Sequence, residues 1–221
     1  MKSHRLSRRT RQAGFTLVEI AIVLVIVGLL LAGVLKGQEL IESSKIKSLA
    51  KDMDSMTAVV ASYQDRYRGL PGDDLTATTH TQRGWGAVAF TAGDNNGLIG
   101  AGGAIIIFPP AAGTEPQQAF QAMRYAGFIE GAGADTSLPK NAAGGGLSLT
   151  NNVMGFGLRN VVCINGLTGK QAGALDRLLD DGVNNTGNVR AGVIATTPAI
   201  AAPAAANYVE GTPGFMVCKP V

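Results

Sequence analysis

The stretch that decides the fold is GFTLVEIAIVLVIVGLLLAGVL, residues 14–35. From Phe15 to Leu35 it makes a helix of about 32 Å, which matches a hydrocarbon core of roughly 30 Å. Glu19 is the only charged residue in this apolar run. A charge at the centre of a bilayer costs about 2.5 to 3.5 kcal/mol on insertion scales, so a lone carboxylate there needs a partner and indicates a function.

Three simpler interpretations of the apolar run fit less well. A cleaved secretory signal has an apolar centre of roughly 7 to 15 residues before a small-residue cleavage site, whereas this longer run is followed by Lys36-Gly37-Gln38-Glu39. A lipoprotein signal requires a cysteine soon after Leu31-Ala32-Gly33, where Val34 stands. A plain membrane anchor is consistent with residues 20–35 but leaves Glu19 unexplained.

The segment Ala13-Gly14-Phe15-Thr16-Leu17-Val18-Glu19, behind a basic leader and before an apolar helix, resembles the processing site of type IV pilins and of type II secretion pseudopilins. In that family a membrane-embedded aspartyl peptidase cuts after the glycine, and the same enzyme N-methylates the new first residue. The resemblance implies a cut between Gly14 and Phe15 and a methyl group on Phe15. It also implies the partners: other pilin subunits in a helical filament, the peptidase and methyltransferase, an inner-membrane assembly platform and membrane lipid.

The resemblance supplies a partner for Glu19. Cleavage creates an α-ammonium on Phe15, four residues before the carboxylate. A cation one helical turn from a carboxylate lowers its cost in low dielectric, within one chain or between neighbours. In the family, the incoming subunit uses the carboxylate to meet the amine of the previous subunit, and this contact is expected to set the axial register of the filament.

The basic residues are concentrated in the first 14 positions. Five of the 19 lie there, beside no acidic residue, which leaves 14 basic against 16 acidic residues in the remainder. The pI near 9.0 therefore reflects mainly the leader, and nucleic-acid binding is not indicated. Long C-terminal domains translocate largely regardless of charge, so we expect a single-pass inner-membrane precursor with a periplasmic head, followed by a periplasmic pseudopilus or a cell-surface pilus.

The predicted fold class is α+β, with a long N-terminal helix packed against a small antiparallel sheet and long Gly-rich loops. Apolar residues recur at steps of three and four along the helix, at Ile46, Leu49, Met53, Met56, Val60, Tyr63 and Tyr67. Gly69-Leu70-Pro71-Gly72 ends the pattern, since proline disfavours helix at the preceding residue. The expected organisation is a cleaved leader over 1–14, an apolar span over 15–35, an amphipathic continuation over 36–68 and a globular head over 69–221.

The head carries two patterns that predict short helices. Thr114-Glu115-Pro116-Gln117 and Thr168 to Gln171 have the spacing of capping boxes, which predicts a helix from Glu115 to about Tyr125 and a second helix buried through Leu175, Leu178 and Leu179. Residues 69–113 are predicted as a long loop with one short strand at 105–108, and residues 196–206 as an extended loop. One or two strands are predicted over 153–164, and further strands at 189–195 and 215–218.

Cys163 and Cys218 are the only cysteines, and both lie in the part expected to face the periplasm. A disulfide closing this segment would stabilise by about 4 kcal/mol in the chain-entropy model. A metal pair is disfavoured, because His80 is the only histidine beyond the leader and two thiolates do not complete a zinc site. The resemblance agrees, since many pilins carry a disulfide in this region.

Two loops combine Asp, Asn and Gly, around Asp94 and around Asp180-Asp181. These residues are typical of tight turns, and the same oxygens can bind calcium, which some major pseudopilins hold in a late loop. The spacing matches no EF-hand, so turns are favoured and calcium stays the alternative.

No nucleophile elbow, Walker loop, HExxH motif or paired acid and base is present, and His80 is expected on the solvated surface. We therefore expect no enzyme, no catalytic residue and no cofactor other than the calcium alternative. Two other functions stay open: a membrane-tethered periplasmic binding module, in which the helix is only an anchor, and a minor pilin that initiates or tips the filament.

Overall fold

The computed structural model of the chain describes residues 14, 16–74, 78–85, 90, 93–100, 110–193, 208–209 and 214–221. The predictions for residues 1–13, Phe15, 105–108 and 196–206 lie outside this described part. Residues Met1–Ser43 and Ser44–Val221 form two compact units. The elements in chain order are α1 (Leu17–Tyr67), α2 (Thr79–Gln82), α3 (Glu115–Tyr125), β1 (Leu147–Asn151), β2 (Asn160–Leu167), α4 (Gly169–Leu179), β3 (Arg190–Val193) and β4 (Phe215–Pro220).

Helix α1 confirms the long helix predicted from the apolar run and the stripe that follows it. It ends at Tyr67, just before the predicted stop at Gly69-Leu70-Pro71-Gly72. The Arg68 N–H donates to the Gln64 carbonyl at 2.8 Å, and Arg68 itself has a φ of 58°. The chain thus leaves the helix through a left-handed residue, as helices commonly do.

The predicted stripe of α1 is buried in the core of the head. Leu49, Met53 and Tyr63 are fully buried, while Tyr67 is partly exposed where the helix ends. Fully burying a large apolar side chain stabilises by about 1.5 to 3 kcal/mol, so the stripe holds this part of α1 in the head. The same core contains side chains of α3 and of the sheet, among them Phe120, Met123, Leu149, Val162, Ile164 and Val217.

The four strands form one antiparallel sheet in the order β1-β2-β4-β3, so the last strand of the chain lies between two earlier ones. Side chains of β2 and β4 that alternate with those of the main core form a second apolar cluster together with two residues of the turn before β2. Its buried members are Val153, Met154, Val161, Cys163, Met216 and Cys218. The fold is thus the predicted α+β architecture of a long helix and a small antiparallel sheet.

Of the one or two strands predicted over residues 153–164, only the second half of the segment is confirmed. Residues 160–164 lie in β2, but residues 153–159 form turns. Met154, Gly155 and Gly157 all adopt positive φ, which regular extended strand geometry excludes. The sequence analysis also missed the single turn of α2 and strand β1, whose sequence LSLTN is short and contains only two apolar residues. The two later predicted strands are confirmed as β3 and β4.

One predicted capping box is wrong and the other is confirmed. Helix α3 has its predicted bounds, but the Thr114 hydroxyl donates to the Ala111 carbonyl at 2.7 Å and does not cap the helix. A carbonyl of the preceding turn competes for this hydroxyl, and the Gln117 side-chain oxygen accepts the Gly113 N–H of the same turn. At α4, Thr168 and Gln171 form both hydrogen bonds of the box.

The buried side of α4 differs from the predicted one. Leu175 is fully buried, but Leu178 is 51% exposed and Leu179 is only partly buried. Ala172 and the carboxylate of Asp176 complete the buried face instead. A charged residue occupies this face because its oxygens find hydrogen-bond donors there, which periodicity alone does not reveal.

Candidate functional site

The first part of α1 exposes its apolar side chains. Residues 17–36 are all exposed, with Leu17 at 86% and Leu29 at 71%. Within the described part of the chain, α1 is the one helix long and apolar enough to cross a membrane. A continuous apolar surface of this size indicates contact with lipid or with other protein chains.

Glu19 forms a capping box with Thr16 at the start of α1. The Thr16 N–H and the Thr16 hydroxyl both donate to Glu19 Oε2, each at 2.8 Å, and the Glu19 N–H donates to Thr16 Oγ1 at 3.3 Å. Thr16 is thus the N-cap residue and Glu19 the third helical residue. The carboxylate also lies at the positive end of the helix dipole, which favours a negative charge.

The sequence analysis missed this box, although its signal is present. Thr16-Leu17-Val18-Glu19 has the same spacing as the patterns at Thr114 and Thr168, with glutamate in place of glutamine at the fourth position. The apolar context of Glu19 indicates a partner from another chain, whereas Thr16 is a partner within the same helix.

The predicted cleavage site adjoins the box. Gly14 and Thr16 are both exposed, and a Cβ added to Gly14 would meet nothing within 4 Å. The described structure therefore imposes no steric need for glycine at this position. A requirement for Gly14 would have to come from an enzyme that cuts the chain.

The two cysteines form the expected disulfide. Cys163 of β2 pairs directly with Cys218 of β4 in the sheet register, and both residues are fully buried in the second apolar cluster. The bond therefore connects two strands that are already neighbours. It holds the C-terminal strand in the interior of the sheet.

Asp94 belongs to a cluster of three carboxylates with Asp73 and Glu115, whose nearest oxygens lie within 4.8 Å of one another. Asp73 accepts the Gly97 N–H at 2.9 Å, and Glu115 accepts the Gly100 N–H at 2.6 Å. Burial raises the pKa of both residues above the ordinary carboxyl value. Sequence reasoning missed Asp73 and Glu115 because only the fold brings them to Asp94.

Asp180 and Asp181 form a second cluster with the buried Asp176. Asp176 accepts the Tyr208 hydroxyl at 2.6 Å, and burial raises the pKa of the carboxyl. Asp181 accepts the Val183 N–H at 2.8 Å. The hydrogen bond of Asp181 is one expected of a turn residue, whereas Asp176 lies in α4 and contacts a distant tyrosine. Calcium binding at Asp94, Asp180 and Asp181 stays the untested alternative.

A buried charge pair follows the end of α1. Arg83 donates to Asp74 Oδ2 at 2.6 Å and to the Tyr63 hydroxyl at 2.8 Å, while that hydroxyl donates to Asp74 Oδ1 at 3.1 Å. The guanidinium also lies over the Tyr67 ring, 4.5 Å from its centroid. Burial raises the pKa of Asp74. These contacts connect the segment after α1 to the helix, so Arg83, Asp74 and Tyr63 stabilise the fold.

The prediction that His80 is solvated is wrong. Its ring is buried and lies 5.6 Å from the ring of Phe90, centroid to centroid. The Thr-rich sequence around His80 suggested an exposed loop, but His80 lies in α2 and its side chain is buried.

Residues 9–35 match the family model of the prokaryotic N-terminal methylation motif. A search of curated proteins found no match. The match confirms the resemblance at the N-terminus: the chain carries a prepilin segment of the type IV pilin and pseudopilin kind, joined to a pilin-like α+β fold. The motif is that of structural pilin-type proteins that are processed and methylated, and together with the apolar helix it fits a membrane-anchored precursor.

Proposed function

On the premise that residues 9–35 form a type IV pilin-type prepilin segment, we propose that the protein is a structural subunit of a type IV pilus or a type II secretion pseudopilus. One observation carries the proposal: the exposed apolar helix α1 contains one carboxylate, Glu19, before Leu35. A simple anchor has no use for that charge, whereas an assembling subunit does.

Processing is the first step of the proposal. The peptidase cuts between Gly14 and Phe15 and removes the leader over residues 1–14, and the same enzyme methylates the Phe15 amine. The exposure of Gly14 and Thr16 on both sides of the bond supports access by an enzyme. The box between Thr16 and Glu19 lies wholly on the mature side of the cut.

Assembly follows from the new charge. The Phe15 ammonium of one subunit neutralises Glu19 of the next, so the ion pair forms only at the correct axial register. Small residues at Ala21, Gly28, Ala32 and Gly33 allow neighbouring helices to approach closely. A Cβ added at Gly28 or Gly33 meets nothing within 4 Å, so this surface is open to another chain.

The location of the head follows from the same proposal. Residues 15–35 span the inner membrane in the precursor, residues 36–68 continue the helix, and residues 69–221 form a periplasmic head. The disulfide between Cys163 and Cys218 supports an oxidising compartment such as the periplasm. The mature subunit then enters a periplasmic pseudopilus or a surface pilus.

Mass spectrometry of the native N-terminus tests the processing step. We expect mature chains to begin with N-methylated Phe15. An intact Met1 would contradict the proposal and would support the membrane-tethered binding module.

Filament yield tests the assembly step. Glu19→Ala should leave cleavage intact and sharply reduce the amount of subunit in sheared filaments. Glu39→Ala is the matched control, because Glu39 is an exposed glutamate of the same helix beyond the apolar run, where it pairs with Lys36. Normal filament yield from Glu19→Ala would contradict the role given to the carboxylate.

A further inference from the structure

The two oxygens of the Glu19 carboxylate have different surroundings. Oε2 accepts both donors of Thr16, the N–H and the hydroxyl, each at 2.8 Å. Within the described residues no hydrogen bond to Oε1 is found. We infer that Thr16 is a positioning residue, which holds Glu19 so that one oxygen caps its own helix while the other stays available to a donor from another chain. The inference rests on the proposed function and deepens its assembly step.

The capping box is independent of proteolysis. Thr16 and Glu19 both lie beyond the proposed cut, and the three hydrogen bonds between them need no atom of the leader. The first helical hydrogen bond, from the Ile20 N–H to the Thr16 carbonyl, also survives the cut. The cleaved subunit therefore keeps its carboxylate partly satisfied before it meets a neighbour.

This arrangement addresses two costs of assembly. Burying a carboxylate without hydrogen-bond partners in an apolar environment has a large free-energy cost. The Thr16 donors lower this cost in the unassembled subunit in the membrane. A free glutamate side chain also loses rotamer freedom when it forms an ion pair. Because the box already orders the side chain, a neighbouring ammonium gains a fixed acceptor and assembly does not need to break the cap.

The cap and the charge are separable by mutation. Thr16→Val removes the hydroxyl at nearly constant size, and Thr16→Ser restores it. Glu19→Gln keeps an acceptor oxygen, since glutamine also serves at this position of a capping box, but it removes the charge. The three variants therefore test the cap, its rescue and the charge in turn.

The experiment compares two readouts of cleaved full-length subunits. The first is amide hydrogen exchange of Glu19 in detergent micelles, which reports the cap in the unassembled subunit. The second is filament yield per cleaved subunit, with cleavage measured by mass spectrometry of the N-terminus. For Thr16→Val we expect about fivefold faster exchange, the fold-change of a typical N-cap loss, and a severalfold lower filament yield. Thr16→Ser should restore both readouts to within about twofold of the wild type.

Three results would overturn the inference: unchanged exchange in Thr16→Val, faster exchange with normal filament yield, or a lowered yield that Thr16→Ser fails to restore. Glu19→Gln separates this inference from the proposed function. We expect it to keep slow exchange and to lose assembly. Normal assembly of Glu19→Gln would refute the charge contact of the proposed function, while a Thr16→Val defect restored by serine would still support the positioning role.

Discussion

Cys163 of β2 and Cys218 of β4 lie directly opposite each other in the sheet, and their disulfide fixes the last strand of the chain between β2 and β3. Strand β4 pairs on both sides, so the sheet is complete only after the C-terminus has been inserted. The bond closes a long segment that contains α4 and β3. Its main effect is therefore expected on the unfolded chain.

Replacing both cysteines, Cys163→Ala with Cys218→Ala, should lower the free energy of unfolding by about 4 kcal/mol, because the open chain regains loop entropy. Urea unfolding of the full chain in detergent micelles measures the change. Wild-type protein unfolded in the presence of a reductant is the control and should approach the stability of the variant. An unchanged unfolding midpoint in both samples would show that the disulfide does not stabilise the head.

Arg83→Met should destabilise the head by about 3 kcal/mol, because it leaves Asp74 buried without its cation. Arg68→Met is the matched control, since Arg68 forms an exposed pair with Asp65 and should change stability by less than about 1 kcal/mol. Chemical unfolding of both variants gives the comparison. Equal effects of the two substitutions would contradict a special role for the buried pair.

The stability of the head should rise as the pH falls from neutral toward mildly acidic values. Burial raises the pKa of Asp73, Asp74 and Glu115 in the folded state, so the folded chain binds protons more tightly than the unfolded chain. Their contribution is fully present below the ordinary carboxyl values near 4 and is lost as the pH rises through the raised values. Asp135 has a lowered pKa, because it accepts hydrogen bonds from Ser137, and it opposes this trend only at more acidic pH.

The direction of the pH dependence is checked by unfolding free energies measured from about pH 8 to about pH 5, a range that lies wholly above the ordinary carboxyl values near 4. The variant Asp73→Asn with Glu115→Gln should show a smaller rise on acidification, because two of the groups with raised pKa no longer titrate. Stability that falls over this interval would refute the assignment.

Gly145→Ala should cost about 1 to 3 kcal/mol, because the added Cβ would overlap the backbone carbonyl of Asn165, which cannot move without shifting β2. Gly37→Ala is the control: its Cβ would meet nothing within 4 Å, and alanine favours the helix. Thermal unfolding of the two variants should therefore shift in opposite directions. A neutral Gly145→Ala would show that the turn before β1 adjusts easily.

Several features of the chain were predictable from local patterns alone. The bounds of α1 follow from an apolar run, a stripe at steps of three and four, and a glycine and proline stop, and each of these acts through neighbours within about one helical turn. The prepilin segment is likewise contiguous, so its residues identify it without a fold. Thr168 and Gln171 cap α4 for the same reason, since both partners lie within one turn.

Most features that local patterns missed depend on contacts between distant parts of the chain, whereas the outcomes at Thr16 and Thr114 depend on local hydrogen bonds. Thr114 has the right spacing for a cap, but a neighbouring carbonyl competes for its hydroxyl. Leu178 fits the helical period but is exposed, because the buried side of α4 is completed by Asp176, whose carboxylate accepts the Tyr208 hydroxyl. Asp73 and Glu115 are distant in sequence, and both accept hydrogen bonds from the same described segment, from the N–H groups of Gly97 and Gly100.

The long helix, the single carboxylate of its apolar run and the prepilin motif can be read from the sequence, because hydrophobic length, helical period and a contiguous motif are encoded by adjacent residues. Only the tertiary structure decided that β4 lies inside the sheet, that Arg83 neutralises Asp74, and that three carboxylates share one site. These outcomes depend on which distant groups are desolvated together, and the energy of a buried polar group is set by the partners that packing brings to it.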